Sequence, residues 1–317
     1  MCTSRGRAPR CDARQSADRA ALGPRCFLDD EVSIVKYDLT VNFRWQEVVT
    51  MATREALEGI PGTLWGMVAV ARHRLLMLDY DGTLAPFVEE RDKAVPVPEA
   101  LSLLRKIASM TLTSVAIVSG RPLAEVEGFL GDLPAVFVGE HGWERREPHG
   151  EIIRRPLDTS VGTTIAEATS AAEAAGWGDL LERKRSAVVL HTRGLPDDRA
   201  HELQDECART WERLADRRVA IDRIDGGVEL RAREGNKGTV ALTLLTQAVP
   251  GTLGVFIGDD VTDEDAFDVV RDWGFGVRVG PTNEPTIAQG RLPSCEAVSA
   301  FLKEWLRVTE AADSRSA

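Results

Sequence analysis

Four short apolar runs, each followed at once by polar residues, constrain this chain more than any other feature. The runs are Leu75–Leu78 before Asp79, Ser114–Val118 before Ser119, Ala135–Val138 before Gly139-Glu140-His141, and Val255–Ile257 before Gly258-Asp259-Asp260. Segments with a helical pattern accompany them, over 98–108, 122–129, 237–248 and 263–271. Strands that alternate with helices predict a parallel sheet with right-handed crossovers. We therefore expect a doubly wound, Rossmann-like α/β core, completed by a last strand at 276–279 and a last helix at 297–306.

The pattern changes between residues 143 and 232. Two hairpins are predicted around the turns at 148–150 and 225–227, and two helices over 160–175 and 198–214. Hairpins combined with helices describe a small α+β unit rather than a doubly wound one. The predicted domains are a core of residues 51–142 and 233–308, an inserted α+β unit of residues 143–232, and a disordered tail of residues 309–317.

The composition excludes several classes of function. The 317 residues include 50 acidic and 39 basic ones, for a net charge of −11, so binding to nucleic acid or to an anionic membrane is not expected. No apolar stretch approaches the ~18 residues of a membrane helix, and the best runs, such as 68–71, are strand-sized. The five cysteines show no metal-binding spacing, which is typical of a reduced, cytoplasmic protein.

The first 50 residues fit neither predicted domain. Their start is rich in arginine, which loosely resembles an organelle transit peptide, but a disordered or wrongly included extension is the favoured interpretation. Met51 is an alternative start of the protein. Residues 32–48 alternate enough to predict a strand.

Two groups of acidic residues are predicted to meet at one edge of the sheet, because ligands bind outside the carboxyl ends of the strands in an open parallel sheet. Asp79 and Asp81 lie in a turn after a strand, where one carboxylate can act as a nucleophile and the other as a general acid or base. Residues 259–265 hold four Asp and one Glu. This density repels itself unless a cation or a helix N-terminus offsets it. Oxygen ligands of this kind favour a hard cation, Mg²⁺ above Ca²⁺.

Two further residues are suited to binding a phosphate group. Ser119 offers a hydroxyl beside backbone N–H groups at a helix start, and Lys237 offers a point cation at another helix start. Taken alone, Ser119 could equally cap its helix and Lys237 could equally be a surface lysine. Together with the acids, they complement phosphoryl transfer, which mainly requires positioning and charge neutralisation.

At this point the residues resemble those of the haloacid dehalogenase-like phosphatases. The four motifs of that superfamily occur in order, as LDYDGTL at 78–84, SGR at 119–121, NKG at 236–238 and GDDVTDED at 258–265. The insert lies between the second and third motifs, which is the position of a type C2 cap. Within the superfamily, the chain is similar to the trehalose-6-phosphate phosphatases through the HG at 141–142, LERKRSAVVLHTR at 181–193 and the E-x-R at 229–231. The resemblance covers residues 72–307.

The resemblance implies a role for each core residue. Asp79 would attack phosphorus and become an aspartyl-phosphate, and Asp81 would protonate the leaving sugar oxygen and then activate water. Ser119 and Lys237 would hold the phosphoryl oxygens, and Lys237 would also restrain Asp79. The implied ligands of Mg²⁺ are Asp79, the backbone carbonyl of Asp81 and Asp259, with Asp260 or Asp263 in support.

The resemblance also implies that the cap selects the sugar. The implied substrate-binding residues are Arg121, Glu140, His141, Lys184, Ser186, His191, Arg193, Glu229 and Arg231. Period-two spacing lets several of them share one face of a sheet, although a solvated sheet face has the same pattern. The sequence departs from the family at two positions near the sugar. Thr192 stands where an aromatic residue is usual, and Glu140 where a small or amide residue is.

The sugar phosphate is therefore less defined than the reaction. The first interpretation is a Mg²⁺-dependent phosphatase that releases trehalose from trehalose 6-phosphate, with a functional link to a sugar-phosphate glycosyltransferase (a synthase). The same chemistry on sucrose phosphate, mannosyl- or glucosyl-phosphoglycerate or an aminocyclitol phosphate is an alternative. A third interpretation is a non-catalytic, sugar-phosphate-binding subunit that regulates a synthase. The pair Asp79 and Asp81 argues against the third, since binding alone needs no second carboxylate.

Overall fold

The apolar runs form neighbouring strands of one mainly parallel sheet. The computed structural model describes residues 55–88, 90–224 and 226–315. In chain order, its strands are β1 (Arg74–Leu78), β2 (Thr113–Val118), β3 (Val136–Gly139), β4 (Glu144–Arg146), β5 (Ile152–Arg154), β6 (Leu181–Arg183), β7 (Ala187–His191), β8 (Val219–Ile224), β9 (Gly227–Ala232), β10 (Leu253–Gly258), β11 (Gly274–Val279) and β12 (Gly290–Leu292). Its helices are α1 (Gly62–Val70), α2 (Pro98–Ala108), α3 (Leu123–Leu130), α4 (Thr159–Ala174), α5 (Asp197–Glu212), α6 (Lys237–Gln247), α7 (Val261–Val270) and α8 (Cys295–Asp313). Short 3₁₀ turns occur at Arg91–Lys93, Glu140–Gly142 and Gly178–Leu180.

The first sheet has the strand order β12-β11-β10-β1-β2-β3-β4-β5. Strands β12 to β3 run parallel, and β4 and β5 are added antiparallel at the edge. Strand β1 lies near the middle, between β10 and β2, with Leu78 opposite Ile257 on one side and Ile117 on the other. The carboxyl ends of these three strands therefore lie side by side.

Alternate residues of the strands pack on opposite faces of this sheet. Leu76 and Leu78 belong to the apolar cluster on one face, whereas Leu75 and Met77 belong to the cluster on the other. All four are almost fully buried, and burying an aliphatic side chain of this size stabilises a fold by about 1.5–3 kcal/mol. Because both faces are covered by helices, the core is doubly wound, as predicted from the sequence.

The helices begin where the sequence provides a start signal. Pro98 lies in the first turn of α2, where its missing N–H is not needed. At the start of α6, the Asn236 side chain accepts a hydrogen bond from the Thr239 N–H, and a reciprocal bond completes a capping box. Asp260 and Asp263 form the same arrangement at the start of α7. These caps fix the ends of the helices that follow the functional motifs.

A second sheet forms within the inserted segment. Its order is β6-β7-β9-β8, all antiparallel, and helices α4 and α5 pack on one face. Trp211 is fully buried there, and its indole N–H donates to the carbonyl of Ala168 at 3.0 Å. The chain segments that lead into and out of this second unit lie side by side. Arg155 on the first segment and Glu234 on the second form an ion pair at 3.1 Å. We call the part with this second sheet, residues 156–232, the inserted unit.

Two domain boundaries predicted from the sequence are wrong. Residues 144–154, assigned to the insert, form β4 and β5 of the first sheet, because β3 has a free edge with which β4 pairs. The tail predicted to be disordered from residue 309 is helical as far as Asp313, because Thr309 and Ala312 are buried against the core. The apolar run at 68–71 lies at the end of helix α1.

Other predictions concern parts of the chain that lie outside the described residues. These are the extension at residues 1–50 and the strand at 32–48. Within the described ranges, none of the helices combines the length and the apolar character needed to span a membrane.

Candidate active site

The carboxyl ends of β1, β2 and β10 bring the predicted functional residues together. Asp79 directly follows β1, Ser119 follows β2, and Asp259 follows β10. The Asp79 N–H donates to the carbonyl of Ile257 at 2.9 Å, and the Ser119 N–H donates to that of Val138, also at 2.9 Å. The parallel ladder thus continues past the strands and fixes the backbone that carries these side chains.

Three carboxylates form a cluster at this edge, with Asp79 and Asp263 buried and Asp259 half-buried. One oxygen each of Asp79, Asp259 and Asp263 lies within 4.8 Å of the others. The Lys237 amine lies 2.8 Å from Asp79 and 2.7 Å from Asp263. Lys237 and Asp79 are 2% and 4% exposed, and Asp263 is fully buried. The lysine therefore belongs to the cluster and is not a surface residue.

The cluster carries more negative than positive charge. Burial, together with the charges of Asp263 and Asp81, raises the pKa of Asp79 to about 8, although Lys237 lowers it. Burial and the neighbouring acids likewise raise the pKa of Asp259 well above its usual value. Burial alone would lower the pKa of Lys237, but Asp263 and Asp79 raise it above its ordinary value. An all-oxygen donor set with this surplus of acid fits a hard divalent cation.

The turns around the cluster bring the backbone close to the acids. Gly82 has a φ of 70°, and a Cβ at this position would overlap the carboxylate of Asp259. The hydroxyl of Thr83 donates to the same carboxylate at 3.3 Å. A glycine is therefore required in this turn, both for its conformation and for space.

Asp260 has a different environment from its neighbours. Its carboxylate accepts a hydrogen bond from the N–H of Val261 at 2.6 Å and caps α7. Asp263 accepts from the N–H groups of Asp259 and Asp260, at 3.1 and 2.9 Å, through its second oxygen. Asp263 therefore holds the loop and faces Lys237 at the same time, whereas the Asp260 side chain lies outside the three-carboxylate cluster.

Arg121 holds Asp81. Its Nε and one terminal nitrogen donate to the two oxygens of Asp81 at 2.7 and 2.6 Å, a bidentate arrangement that fixes the orientation of the carboxylate. The guanidinium carbon lies 5.4 Å from the centre of the Tyr80 ring and 5.6 Å from that of Phe129. Because Arg121 is only 5% exposed and also contacts Glu125 at 3.5 Å, it is a rigid support for Asp81.

The turn after β3 is tied to the end of β2. The Glu140 N–H donates to the carbonyl of Arg121 at 2.9 Å, and the His141 N–H donates to that of Ser119 at 3.0 Å. Glu140 and His141 have φ values of 46° and 53°, a left-handed conformation that is uncommon for residues other than glycine. Gly120 lies so close to the His141 ring that a Cβ on it would meet Nε2 at 2.6 Å.

A second polar cluster lies where the inserted unit meets this turn. The Lys184 amine lies 2.9 Å from Glu229, and the other Glu229 oxygen lies 4.0 Å from the His141 ring. Burial alone would raise the pKa of Glu229, but Lys184, His141 and Arg231 lower it to about 2. Burial lowers the pKa of His141 to about 3, with Lys184 and Lys237 acting in the same direction and Glu229 against them. A narrow pocket here is lined by His141, Trp143, Lys184, Ser186, Glu229 and Arg231, among others.

Comparison with known proteins now defines the family. The profile of the trehalose-phosphatase family matches residues 77–294. This chain belongs to the trehalose-phosphatase family. A probable trehalose-phosphate phosphatase of Sinorhizobium fredii is 34% identical over 231 residues, which cover 72% of this chain and 85% of that protein.

A further relative and several solved structures are similar to this chain. A bifunctional trehalose-6-phosphate synthase/phosphatase of Thermoproteus tenax is 34% identical over 241 residues, which are 74% of this chain but only 32% of that protein. The C-terminal domain of the Candida albicans trehalose-6-phosphate phosphatase has the same fold, with a TM-score of 0.67 at 23% identity over 78% of this chain and 96% of that one. Solved haloacid dehalogenase-like hydrolases share this fold as well, which confirms the predicted core.

Most of the residues that the family resemblance implies are brought to this edge of the first sheet. His191 and Arg193 do not line the pocket. His191 lies 2.8 Å from Glu182 on the neighbouring strand, and the guanidinium of Arg193 lies 5.0 Å from the centre of the Phe87 ring. Thr192 is 2% exposed and accepts a hydrogen bond from Gln204 at 2.7 Å.

Sequence reasoning missed several residues that support the family's motifs. Thr83, two residues after the second acid of the first motif, donates a hydrogen bond to Asp259. Asp222 accepts a hydrogen bond from Arg231 at 2.7 Å, and Glu182 pairs with His191. Only the strand register could have found these two, because Glu182 lies opposite Val189, and Asp222 opposite Glu229, on the same face of the second sheet.

Proposed function

We propose that this chain is a cytoplasmic, Mg²⁺-dependent phosphatase that converts trehalose 6-phosphate to trehalose and phosphate through an aspartyl-phosphate. The observation that carries the proposal is the pairing of Asp79 with Lys237 in a buried acidic cluster, next to a second carboxylate, Asp81, that Arg121 orients. A nucleophile, a charge partner and a separate acid–base group are the parts that two-step phosphoryl transfer needs.

The side chains of this protein would act in two steps. An oxygen of Asp79 attacks phosphorus, the bond between phosphorus and the sugar oxygen breaks, and Asp81 gives a proton to that oxygen. Asp81 then takes a proton from water, the water oxygen attacks the aspartyl-phosphate, and phosphate and free Asp79 result. Lys237 and the Ser119 hydroxyl hold phosphoryl oxygens, since charge neutralisation and orientation supply most of such catalysis.

The acids of the cluster fit the metal that this chemistry requires. Asp79, Asp259 and Asp263 offer oxygens within 4.8 Å of one another, and with the carbonyl of Asp81 they would hold Mg²⁺. When bound, Mg²⁺ neutralises the charge that otherwise separates a carboxylate from a phosphate dianion. Asp260 would act through the loop, because its carboxylate caps α7.

The inserted unit would act as a type C2 cap and select the sugar. Its polar face carries Lys184, Glu229 and Arg231, which are arranged beside His141 of the core. On this face the side chains of Lys184 and Glu229 are buried, and that of Arg231 is 19% exposed. A cap closed in this way excludes water other than the attacking molecule and binds the leaving group.

The first experiment is phosphate release from a panel of sugar phosphates, each with Mg²⁺ and with a chelator. We expect phosphate to be released faster from trehalose 6-phosphate than from sucrose phosphate, glucosyl- or mannosyl-phosphoglycerate or aminocyclitol phosphates. With the chelator present, we expect no phosphate release. Faster turnover of another sugar phosphate in the panel would change the proposed substrate but leave the proposed reaction unchanged. Binding of a sugar phosphate without turnover of any would support a regulatory subunit instead.

The partner of such an enzyme would be a glycosyltransferase that makes its substrate. The Thermoproteus relative, whose name describes a synthase joined to a phosphatase, supports this link. We propose that the two activities are consecutive, because a phosphorylated disaccharide must be made before its phosphate is removed.

A further inference from the structure

The carboxylate of Glu140 is used entirely in a contact between the core and the inserted unit. One oxygen accepts hydrogen bonds from the N–H of Ser186 at 3.1 Å and from its hydroxyl at 2.8 Å. The other accepts from the N–H of Arg185 at 3.3 Å. Glu140 and Ser186 are each 4% exposed. Two backbone N–H groups and a hydroxyl around one buried carboxylate form a charge-assisted binding site that is built into the chain.

The backbone of Glu140 is equally well anchored on the core side. Its N–H donates to the carbonyl of Arg121, and its φ of 46° lies in the left-handed region. A left-handed conformation at a residue with a large side chain costs free energy and persists only where the surroundings compensate for it. The three hydrogen bonds from the inserted unit are that compensation.

On the other side, the contact holds a short turn. The Lys184 N–H donates to the carbonyl of Ala187 at 2.9 Å, so residues 184–187 form a closed turn with Arg185 and Ser186 at its tip. Lys184 lies at the start of this turn, and its amine pairs with Glu229 in the pocket. A shift of the turn would therefore move the Lys184 amine away from the pocket.

We propose that Glu140 is a positioning residue that fastens the turn at 184–187 to the end of β3, with Ser186 as its partner. Sequence resemblance implied that both residues bind the sugar, whereas in the structure they bind each other. Glu140 thus keeps the inserted unit in register with the core and places Lys184 for the leaving group. This assignment deepens the proposed function and, in its kinetic consequences, rests on it.

The first test measures amide hydrogen exchange in the full chain and does not depend on activity. In the wild type, the Arg185 and Ser186 amides should exchange slowly, because the carboxylate of Glu140 accepts from both. In Glu140→Gln they should exchange about tenfold faster or more, since hydrogen bonds to a charged acceptor are worth about a factor of ten or above. Unchanged protection at 185 and 186 in this variant would overturn the proposal.

Glu144→Gln is the matched control. Glu144 is also a buried carboxylate, but it accepts from the N–H of Leu123 and from Arg154, both within the core. Its replacement should speed exchange near residue 123 and leave residues 185 and 186 protected. Equal loss of protection at 185 and 186 in both variants would show a general loosening and would count against a specific role of Glu140.

The second test uses kinetics with trehalose 6-phosphate and with p-nitrophenyl phosphate, which has no sugar. Glu140→Gln should raise KM for the sugar phosphate about 10- to 100-fold, with a smaller change for the aryl phosphate. Ser186→Ala, which keeps the two N–H donors, should show a smaller effect of the same kind. The double variant should be no worse than Glu140→Gln, because both changes break one contact.

The outcomes separate this inference from the proposed function. Independent effects of the two substitutions, multiplied in the double variant, would mean that each residue contacts the sugar by itself and would overturn the positioning role. A wild type that turns over no sugar phosphate would remove the proposed function, while the exchange rates at 185 and 186 would still decide whether Glu140 holds the turn.

Discussion

At the scale of single residues, the active site depends on one buried lysine between two acids. Lys237 is hydrogen-bonded to Asp79 and Asp263, and all three side chains are at most 6% exposed. Removing one partner of a buried ion pair leaves the other charges without compensation, which is more costly than a missing contact on the surface. Lys237 therefore stabilises the fold.

Lys237→Met should lower the free energy of unfolding by about 3–5 kcal/mol in metal-free buffer. The measurement is chemical denaturation of both proteins under identical conditions. Lys303→Met, a change of an exposed lysine on α8, is the control and should stay within about 0.5 kcal/mol of the wild type. Adding Asp79→Asn to Lys237→Met should restore part of the loss, because it removes one uncompensated charge. Equal free energies of unfolding for Lys237→Met and Lys303→Met would contradict the role of the buried lysine.

Asp79→Asn should abolish turnover while the protein stays folded. The amide has the same shape as the carboxylate but is not a nucleophile toward phosphorus, so the first step cannot occur. Phosphate release and circular dichroism would be measured side by side. Asp132→Asn, a change of an acid whose side chain is 89% exposed, is the control and should keep full activity. Near-wild-type turnover in Asp79→Asn would show that another group attacks phosphorus.

The positions of several single residues were readable from the sequence, but their partners were not. The polar residues that directly follow the apolar runs predicted that Asp79, Ser119 and Asp259 meet at one edge, and they do, with Lys237 paired to Asp79. The pairing of Glu140 with Ser186 joins residues 46 positions apart on two sheets. No spacing rule connects them, because the contact depends on how the inserted unit sits on the core.

At the scale of elements, the long buried strands, the capped helices and the hairpin of β4 and β5 were predictable. The sheet that this hairpin joins and the three-residue strands β6 and β12 were not. β4 consists of Glu144, Arg145 and Arg146, which have no apolar pattern, and it pairs because β3 offers an open edge. β6 and β12 are also three residues long and lie at sheet edges. Strands of this kind are defined by their neighbour rather than by their own sequence.

Helix α8 provides a test of the corrected boundary. Its last turns carry Thr309, which is fully buried, and Asp313, which lies 3.1 Å from the buried guanidinium of Arg74. Deleting residues 309–317 should lower the free energy of unfolding by about 2–5 kcal/mol, since it opens the core and leaves Arg74 without this charge partner. Deleting only residues 314–317 should change it by less than about 0.5 kcal/mol. Equal stability of the two truncated chains would support a dispensable tail.

At the scale of the whole molecule, the buried His141 at the junction of the core and the inserted unit makes stability depend on pH. Burial lowers the pKa of His141 to about 3, against about 6.5 in an unfolded chain. Between these values the unfolded state binds a proton that the folded state does not. Stability from a neutral His141 is therefore fully present above pH 6.5 and is lost as the pH falls toward 3.

The matched variant is His141→Asn, because asparagine tolerates the left-handed backbone at this position. Unfolding free energies of both proteins would be measured from pH 7.5 to 4. The wild type should lose more stability than the variant on the acid side, and the difference should grow steadily below pH 6.5. The raised pKa of Asp79 acts in the opposite direction but is common to both proteins. If the two stability curves ran parallel with pH, the pKa of His141 would be the same in the folded and the unfolded protein, and the prediction would be wrong.

The way in which the chain enters and leaves the inserted unit has a consequence for how such proteins diversify. The two crossings lie side by side, where Arg155 and Glu234 form an ion pair, and the strands between them, β6 to β9, form a sheet of their own. A segment whose ends meet can be exchanged, lengthened or rebuilt without changing the registers that carry Asp79 and Asp259. Under the proposed function, the stretch that would select the sugar and the stretch that would break the phosphate ester are thus separate targets of selection. New substrates can be acquired in the first while the second stays as it is.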